Sequence, residues 1–171
     1  MAHELNILKF SNYASRRQDR RIRRIDESRT WVNPYINVIE FLQKEDKVNY
    51  NRHPNDLTKV AWTKTNIIAT KYGNDASLLM ASADNGLCTQ TITSTSTKKV
   101  FLSHIKRVSG TGKIEITVDG VTWSDVTRKI NSELFTQVST KVQTLDHFTI
   151  GFRLGTHRDE IAVSQAQSVE L

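Results

Sequence analysis

Along the second half of the chain, apolar and polar side chains alternate with a period of two, in short runs broken by turn-forming residues. The clearest case lies at residues 113–118, where Ile114, Ile116 and Val118 alternate with Lys113, Glu115 and Thr117. That period sets three branched side chains on one face, toward a core, and three polar ones on the other, toward solvent or a neighbouring subunit, so it predicts a half-buried strand. Asp119-Gly120 follows, a pair that tolerates positive φ in a tight hairpin turn, and Val121, Thr122 and Trp123 begin the returning strand.

The same reading gives strands at Val60–Ile68, Ser77–Ser82, Leu87–Ser94, Lys98–Arg107, Lys113–Val118, Val121–Val126, Leu134–Ser139, His147–Gly155 and Glu160–Glu170. Turn-rich pieces separate them: YGND at 72–75, ADNG at 83–86, STST at 94–97, SGTG at 109–112 and GTHRD at 155–159. So many short strands with no helical period among them predict an all-β domain over residues 60–171, an antiparallel β-sandwich. A jelly roll of about eight strands suits the count, ahead of an immunoglobulin-type sandwich, whose paired cysteines are absent.

The first 59 residues differ. Asn33-Pro34 can cap a short helix with Ile36, Ile39, Phe41 and Leu42 on its apolar face, yet YINVIEFL is equally strand-like, and both readings of residues 34–42 stay open. Residues 43–59 are polar, carry the second proline and read as a linker. The division expected is an anchoring arm and linker over residues 1–59, partly helical and arginine-rich, ahead of the sandwich over residues 60–171.

Charge sharpens this division. The chain carries +6, and the segment SRRQDRRIRRIDESRT at 15–30 holds seven arginines against Asp19, Asp26 and Glu27, a balance of +4 that leaves +2 for the rest. Arg16, Arg17, Arg20, Arg21, Arg23 and Arg24 are therefore candidates for anchoring to a partner, with Trp31 packing the arm against a neighbour. Nucleic acid is the weaker partner reading, because the interspersed acids would repel a phosphate backbone, whereas arginine forks on protein carboxylates suit a mixed-charge surface.

Catalytic chemistry finds no foothold. His3, His53, His104, His147 and His157 are scattered with no metal-ligand spacing, so no metal or cofactor is expected. Asp119 and Asp125 flank the predicted hairpin and could serve as a carboxylate pair, but one reads as a turn residue and the other as solvated. The lone Cys88 reads as a small buried hydrophobe. No apolar run approaches a membrane span, and the start lacks the pattern of a signal peptide. Among aromatics, Trp62, Tyr72 and Trp123 are candidates for stacking on sugar rings, although the strand pattern turns Trp123 inward.

The succession Trp62-Thr63, Ser103–Arg107, Gly110-Thr111-Gly112, Glu115–Trp123, Ile150–Leu154 and Ala166–Glu170 resembles a jelly-roll domain of tailed-bacteriophage virion proteins, over roughly residues 60–171. This chain departs from that pattern in having Asn74-Asp75 where the family often has Pro-Gly, and Arg158-Asp159 where it has Gly-Asp. The resemblance implies a non-enzymatic structural component of a virion, made in the host cytoplasm: a capsid decoration protein or head fibre, or else a tail fibre or adaptor. It also implies a homotrimer, with capsid, portal or tail subunits as partners and a sandwich shaped like carbohydrate-binding modules, so that a host glycan is a candidate ligand. An RNA-packaging coat protein with a basic arm is the remaining alternative.

Overall fold

A computed structural model describes residues 50–171; the arginine segment, Trp31 and residues 34–42 lie outside the described residues. Among the described residues the chain forms nine strands: β1 (Thr63–Thr65), β2 (Ile67–Lys71), β3 (Ser77–Ala81), β4 (Gly86–Ser109), β5 (Ile114–Thr117), β6 (Ser124–Asp125), β7 (Thr136–Ser139), β8 (Gln143–Leu154) and β9 (Glu160–Glu170). All named pairings are antiparallel, and they sort into two layers. The front layer runs β1, the first half of β4, β8, β5, β6. The back layer runs β2, β3, β9, the second half of β4, β7. The all-β sandwich expected from the alternation is the fold.

The long strand β4 corrects one expectation. Residues 94–97, read as a turn, are continuous strand, so Leu87–Ser94 and Lys98–Arg107 are halves of one element. Its first half pairs with β8 from Gly86 to Thr93, its second half with β9 from Lys99 to Ser109, and the register with β8 slips between Thr93 and Thr97. Threonine and serine are as compatible with a bulged strand as with a turn, and the long-range pairing decides between them. Lys99 completes the crossing. Its side chain is wholly buried, and its ammonium donates to Thr95 O at 2.5 Å, Thr97 Oγ1 at 2.8 Å and Leu145 O at 2.8 Å. Glu170 Oε1 pairs with it at 3.3 Å, and the Phe148 ring lies 5.0 Å away.

The core between the layers is one cluster: Phe148, Ile150, Phe152 and Leu154 of β8, Ile114 and Ile116 of β5, Leu79 of β3, Phe101 and Ile105 of β4, and Ile161 and Val163 of β9. Phe101 and Phe152 meet edge-to-face across the layers, with ring centroids 5.4 Å apart. Ile114, Ile116 and Val118 are fully buried as their period predicts, and so is Cys88, whose thiol burial pushes up to about 12. Glu115 and Thr117, expected to face solvent, are buried as well. The alternation sets their direction correctly, but side chains of neighbouring strands cover them.

The expected hairpin also changes form. Asp119 Oδ1 accepts from Val121 N at 2.9 Å and Thr122 N at 2.7 Å, and Thr117 Oγ1 accepts from Gly120 N at 2.9 Å. These side-chain bonds hold residues 119–122 as an Asx-type loop, so the return strand shrinks to Ser124–Asp125.

The GTG piece is a clamp. Asp159 accepts from Gly112 N at 2.9 Å and Thr156 N at 3.0 Å, while Arg107 donates to Gly110 O at 3.1 Å and Gly112 O at 2.9 Å. A side chain at Gly110 or Gly112 would collide with the Asp159 carboxylate, and Gly110 also takes φ +80°. Arg158, where the resembling family has glycine, stands at φ 67°, the left-handed conformation glycine adopts without strain.

Residues 50–59, assigned by sequence to the linker, pack against the sandwich. Leu57 is fully buried, Asn51 Nδ2 donates to Ala166 O at 2.8 Å, and Arg52 exchanges bonds with the Gln90 amide at 2.9 and 3.0 Å. Tyr50 stacks on Phe148 at 6.1 Å, and Asp56 pairs with Lys71 at 2.8 Å. Polar composition misled because the attachment is made largely by polar groups: the side chains of Asn51 and Asn55 bond to the backbone of Ala166 and Gln165, Arg52 bonds Gln90 through its own backbone, and Asp56 pairs with Lys71.

Two outcomes follow. A chain starting at Val60 loses Leu57 and melts well below one starting at Lys47, since removing a buried leucine alone costs about 2–5 kcal/mol; equal melting midpoints would show that residues 50–59 are passengers. The hydrogen bond from Lys71, together with those from Thr58, holds the Asp56 carboxyl far below its usual range. Its stabilisation is therefore complete above the unfolded carboxylate range and is lost as pH falls through the depressed folded value. Asp56→Asn should flatten the acid limb of the stability profile measured by urea unfolding from neutral pH downward.

Candidate functional site

The three aromatic candidates part company. Trp62 is buried against Phe152, with ring centroids 6.2 Å apart, and donates from Nε1 to His53 O at 3.3 Å, so it is core and unavailable to a ligand. Tyr72 is half-buried at the β2–β3 turn of the back layer, where its N–H donates to Ala76 O at 2.9 Å. Trp123 is half-buried just before β6 on the front layer. Trp62, one of the stacking candidates, is thus core, whereas Trp123, which the strand pattern turned inward, is only half-buried, because the Asx-type loop at 119–122 breaks the strand period before it.

What Trp123 meets instead is a charge cluster that the sequence reading did not assemble. Arg153 lies with its guanidinium carbon 4.6 Å from the centre of the Trp123 ring. The pairing of β5 with β8 sets Glu115 directly opposite Arg153. Arg153 Nε donates to Glu115 Oε2 at 2.5 Å, and Arg153 Nη2 joins the same oxygen. Lys113 Nζ reaches the other carboxylate oxygen at 2.6 Å. Asp125 of β6 sits on the far side of Glu115 in the ladder. Hydrogen bonds from Thr127, with Lys113 and Arg128 nearby, hold its carboxyl below the usual range.

The rest of this outer face follows from the strand period. On β8, Arg153, Gly151 and Thr149 alternate with the buried Phe152, Ile150 and Phe148. Gly151 is flanked by Thr117 on β5 and Thr89 on β4, and Thr149 is opposed by Thr91, their hydroxyl oxygens 3.2 Å apart. The face therefore offers an indole and a guanidinium at one end and threonine hydroxyls along the remainder. Such a surface can stack against a flat apolar face and exchange hydrogen bonds with a polyhydroxylated one. Both oxygens of Glu115 are taken by cations, one by Arg153 and the other by Lys113. Asp119, the other carboxylate flanking the loop, is pushed up by burial but held lower still by the backbone N–H groups of Thr122 and Val121. Among the described residues, no group of three His, Cys, Asp or Glu side chains is placed to hold a metal ion.

No protein-family model matches the chain, and no curated protein matches it. Solved structures do. A mutant of a family 29 carbohydrate-binding module superposes with TM-score 0.53 at 15% identity, over 71% of this chain and 90% of the module. Another mutant of that family, complexed with cellulohexaose, gives 0.52 at 15% over 71% and 89%. A family 61 module in complex with β-1,4-galactotriose gives 0.51 at 12% over 72% and 99%. The enzymatically active domain of tailspike protein 4 from bacteriophage CBA120 gives 0.49 at 14%, and this chain spans 22% of its length, an overlap too loose to bear on function. At these identities the likeness is one of fold: this is a sandwich of the carbohydrate-binding-module kind.

Arg153→Ala should destabilise the domain by about 2 kcal/mol, less than the ~3–5 kcal/mol of a fully buried pair because the arginine side chain keeps 29% exposure and water screens it. Adding Glu115→Gln should recover part of that loss in the same denaturation experiment. A double variant no more stable than Arg153→Ala would show that the stacking on Trp123, not the buried carboxylate, carries the effect.

Proposed function

We propose that this chain is a non-enzymatic component of a tailed-phage particle whose sandwich recognises carbohydrate through the front face at Trp123, Arg153 and Glu115. The observation that carries the recognition half is the half-exposed indole held beside a guanidinium at the end of a hydroxyl-lined sheet. Sugar rings present an apolar C–H face to an aromatic ring and a rim of hydroxyls to charged or polar groups, and such sites need few but fixed polar contacts. Arg153 is fixed from two sides, by the carboxylate it pairs with and the ring it stacks on. It loses little freedom on binding and keeps N–H groups to offer. The oligosaccharides in the two module complexes support the ligand class by analogy of fold.

The virion half rests on the ordered resemblance from Trp62 to Glu170 and on the division of charge. A segment with seven arginines and three acids, ahead of the sandwich in the chain, suits attachment to capsid or tail protein. The sandwich then projects outward and presents its front face to the host surface.

Titration calorimetry of the full chain against cellulohexaose, β-1,4-galactotriose and bacterial surface polysaccharides should find a ligand. Trp123→Ala should abolish its heat of binding while leaving the melting midpoint within a few degrees. A Trp123→Ala chain that binds as tightly as the parent would move the site elsewhere. Silence across the whole panel would leave the structural role alone.

A further inference from the structure

In the front layer the pairing of β4 with β1 ends at Thr89, while its pairing with β8 continues through Thr91 and Thr93. Beyond Thr89 that side of β4 borders a cleft of about 430 Å³, whose lining includes Tyr50, Arg52, Gln90, Thr91 and Thr93. Backbone direction follows from the ladder. Thr149 N–H donates to Val118 O at 3.0 Å, toward β5, so Thr91, directly opposite Thr149, turns its own backbone groups away from β8 and toward the cleft. Thr93, two residues on, does the same.

Arg52 supplies the charge. Its backbone is locked on both sides, since its N–H donates to Gln90 Oε1 at 2.9 Å and its carbonyl accepts from Gln90 Nε2 at 3.0 Å. Gln90 is itself buried and donates again to Ala61 O at 3.3 Å. Arg52 is exposed, and among the described residues no acid pairs with its guanidinium and none lines the cleft. Glu170, which accepts from the Tyr50 hydroxyl, is already paired with Lys99. A guanidinium on a fixed backbone, beside threonine hydroxyls and N–H groups at a strand edge, is a set of donors suited to an anion.

The cleft is continuous with the front face, because Thr91 belongs to both: its hydroxyl oxygen lies 3.2 Å from that of Thr149. Between the cleft and Trp123 the floor is made of Thr149, Gly151 and Thr117, none of them large enough to block a chain lying across the strands. From β6 to β4 is three strand spacings, about 14 Å, more than one sugar ring can bridge. We propose that the cleft is a second subsite of the front face, in which Arg52 takes an anionic group (carboxylate, sulfate or phosphate) carried by the same oligosaccharide that stacks on Trp123. This rests on the carbohydrate reading of that face and narrows it from glycans in general to acidic ones several units long.

An array of oligosaccharides bearing uronate, sulfate or phosphate groups, set beside their neutral counterparts, tests this on the full chain, with melting curves to show that each variant folds. The parent should bind acidic members at least about tenfold more tightly than the matching neutral ones. Arg52→Ala should erase that preference and leave the neutral members bound as before, Arg52→Lys should recover part of it, and Trp123→Ala should lose both kinds. Equal binding of acidic and neutral members by the parent, or an acid preference that survives Arg52→Ala, would overturn the second subsite and leave the carbohydrate reading standing. Binding to no member would overturn both. Acid-selective binding that Trp123→Ala leaves untouched would part the cleft from the Trp123 face and overturn their union in one site.

Discussion

The crossing of β4 from one layer to the other, pinned by the buried ammonium of Lys99, is the constraint on which the rest of the sandwich depends. β4 pairs with β8 from Gly86 to Lys99 and with β9 from Lys99 to Ser109, and its register with β8 slips between Thr93 and Thr97, a bulge at which backbone groups drop out of the ladder. Lys99 takes up Thr95 O and Leu145 O and is neutralised by Glu170 near the end of β9. Burial alone would raise the Glu170 carboxyl, but bonds from Ser94 and Lys99 outweigh it and hold the group below its usual range. Tyr50 then donates to the same carboxylate at 3.2 Å, so the entering segment and the last strand close on one point. A methionine of similar length could fill the space at 99, but it would leave Thr95 O and Leu145 O without the donor that Lys99 supplies.

Much of this architecture is legible in the sequence, because alternation is a local signal and the core of a sandwich is built from it. Ile114, Ile116 and Val118 lie inward as their period requires, and β3, β5, β8 and β9 fall close to where apolar runs and turn residues put them. What is not legible depends on partners distant in the chain. Whether STST turns or bulges is decided by β8, fifty residues on. Whether Glu115 is wet or covered is decided by Arg153, which only the β5–β8 register brings alongside. Residues 50–59 look like linker because their stabilising groups are polar; one buried leucine and a set of side-chain bonds to backbone leave no periodic trace.

The candidate site illustrates the same division more sharply. Composition singles out the tryptophans as residues to place, yet it could not tell which would be core, since Trp62 lies ahead of a strand and Trp123 at the end of a presumed hairpin. One carboxylate decides the second case. By capturing Val121 and Thr122 N–H groups, Asp119 converts a two-residue turn into a wider loop, and the ring that the strand period would have buried emerges beside Arg153.

This exchange separates the residues that set the chemistry of the front face from those that hold the fold. Trp123, Lys113 and Arg153 stand at the β5–β6 side of the layer, where among the described residues the regular structure beyond β5 is two residues long. The Asp159 clamp on Gly110 and Gly112, with Arg107, adjoins Lys113 in the chain, but it bonds to backbone and not to the side chains of the face. Substitutions at 123 or along the threonine rows therefore leave the clamp and the β4 crossing intact. Arg153 and Lys113 are the exceptions, because each pairs with an oxygen of the buried Glu115. The front face thus combines fixed charges at Glu115, Arg153 and Lys113 with neighbours whose replacement leaves the packing of the sandwich unchanged.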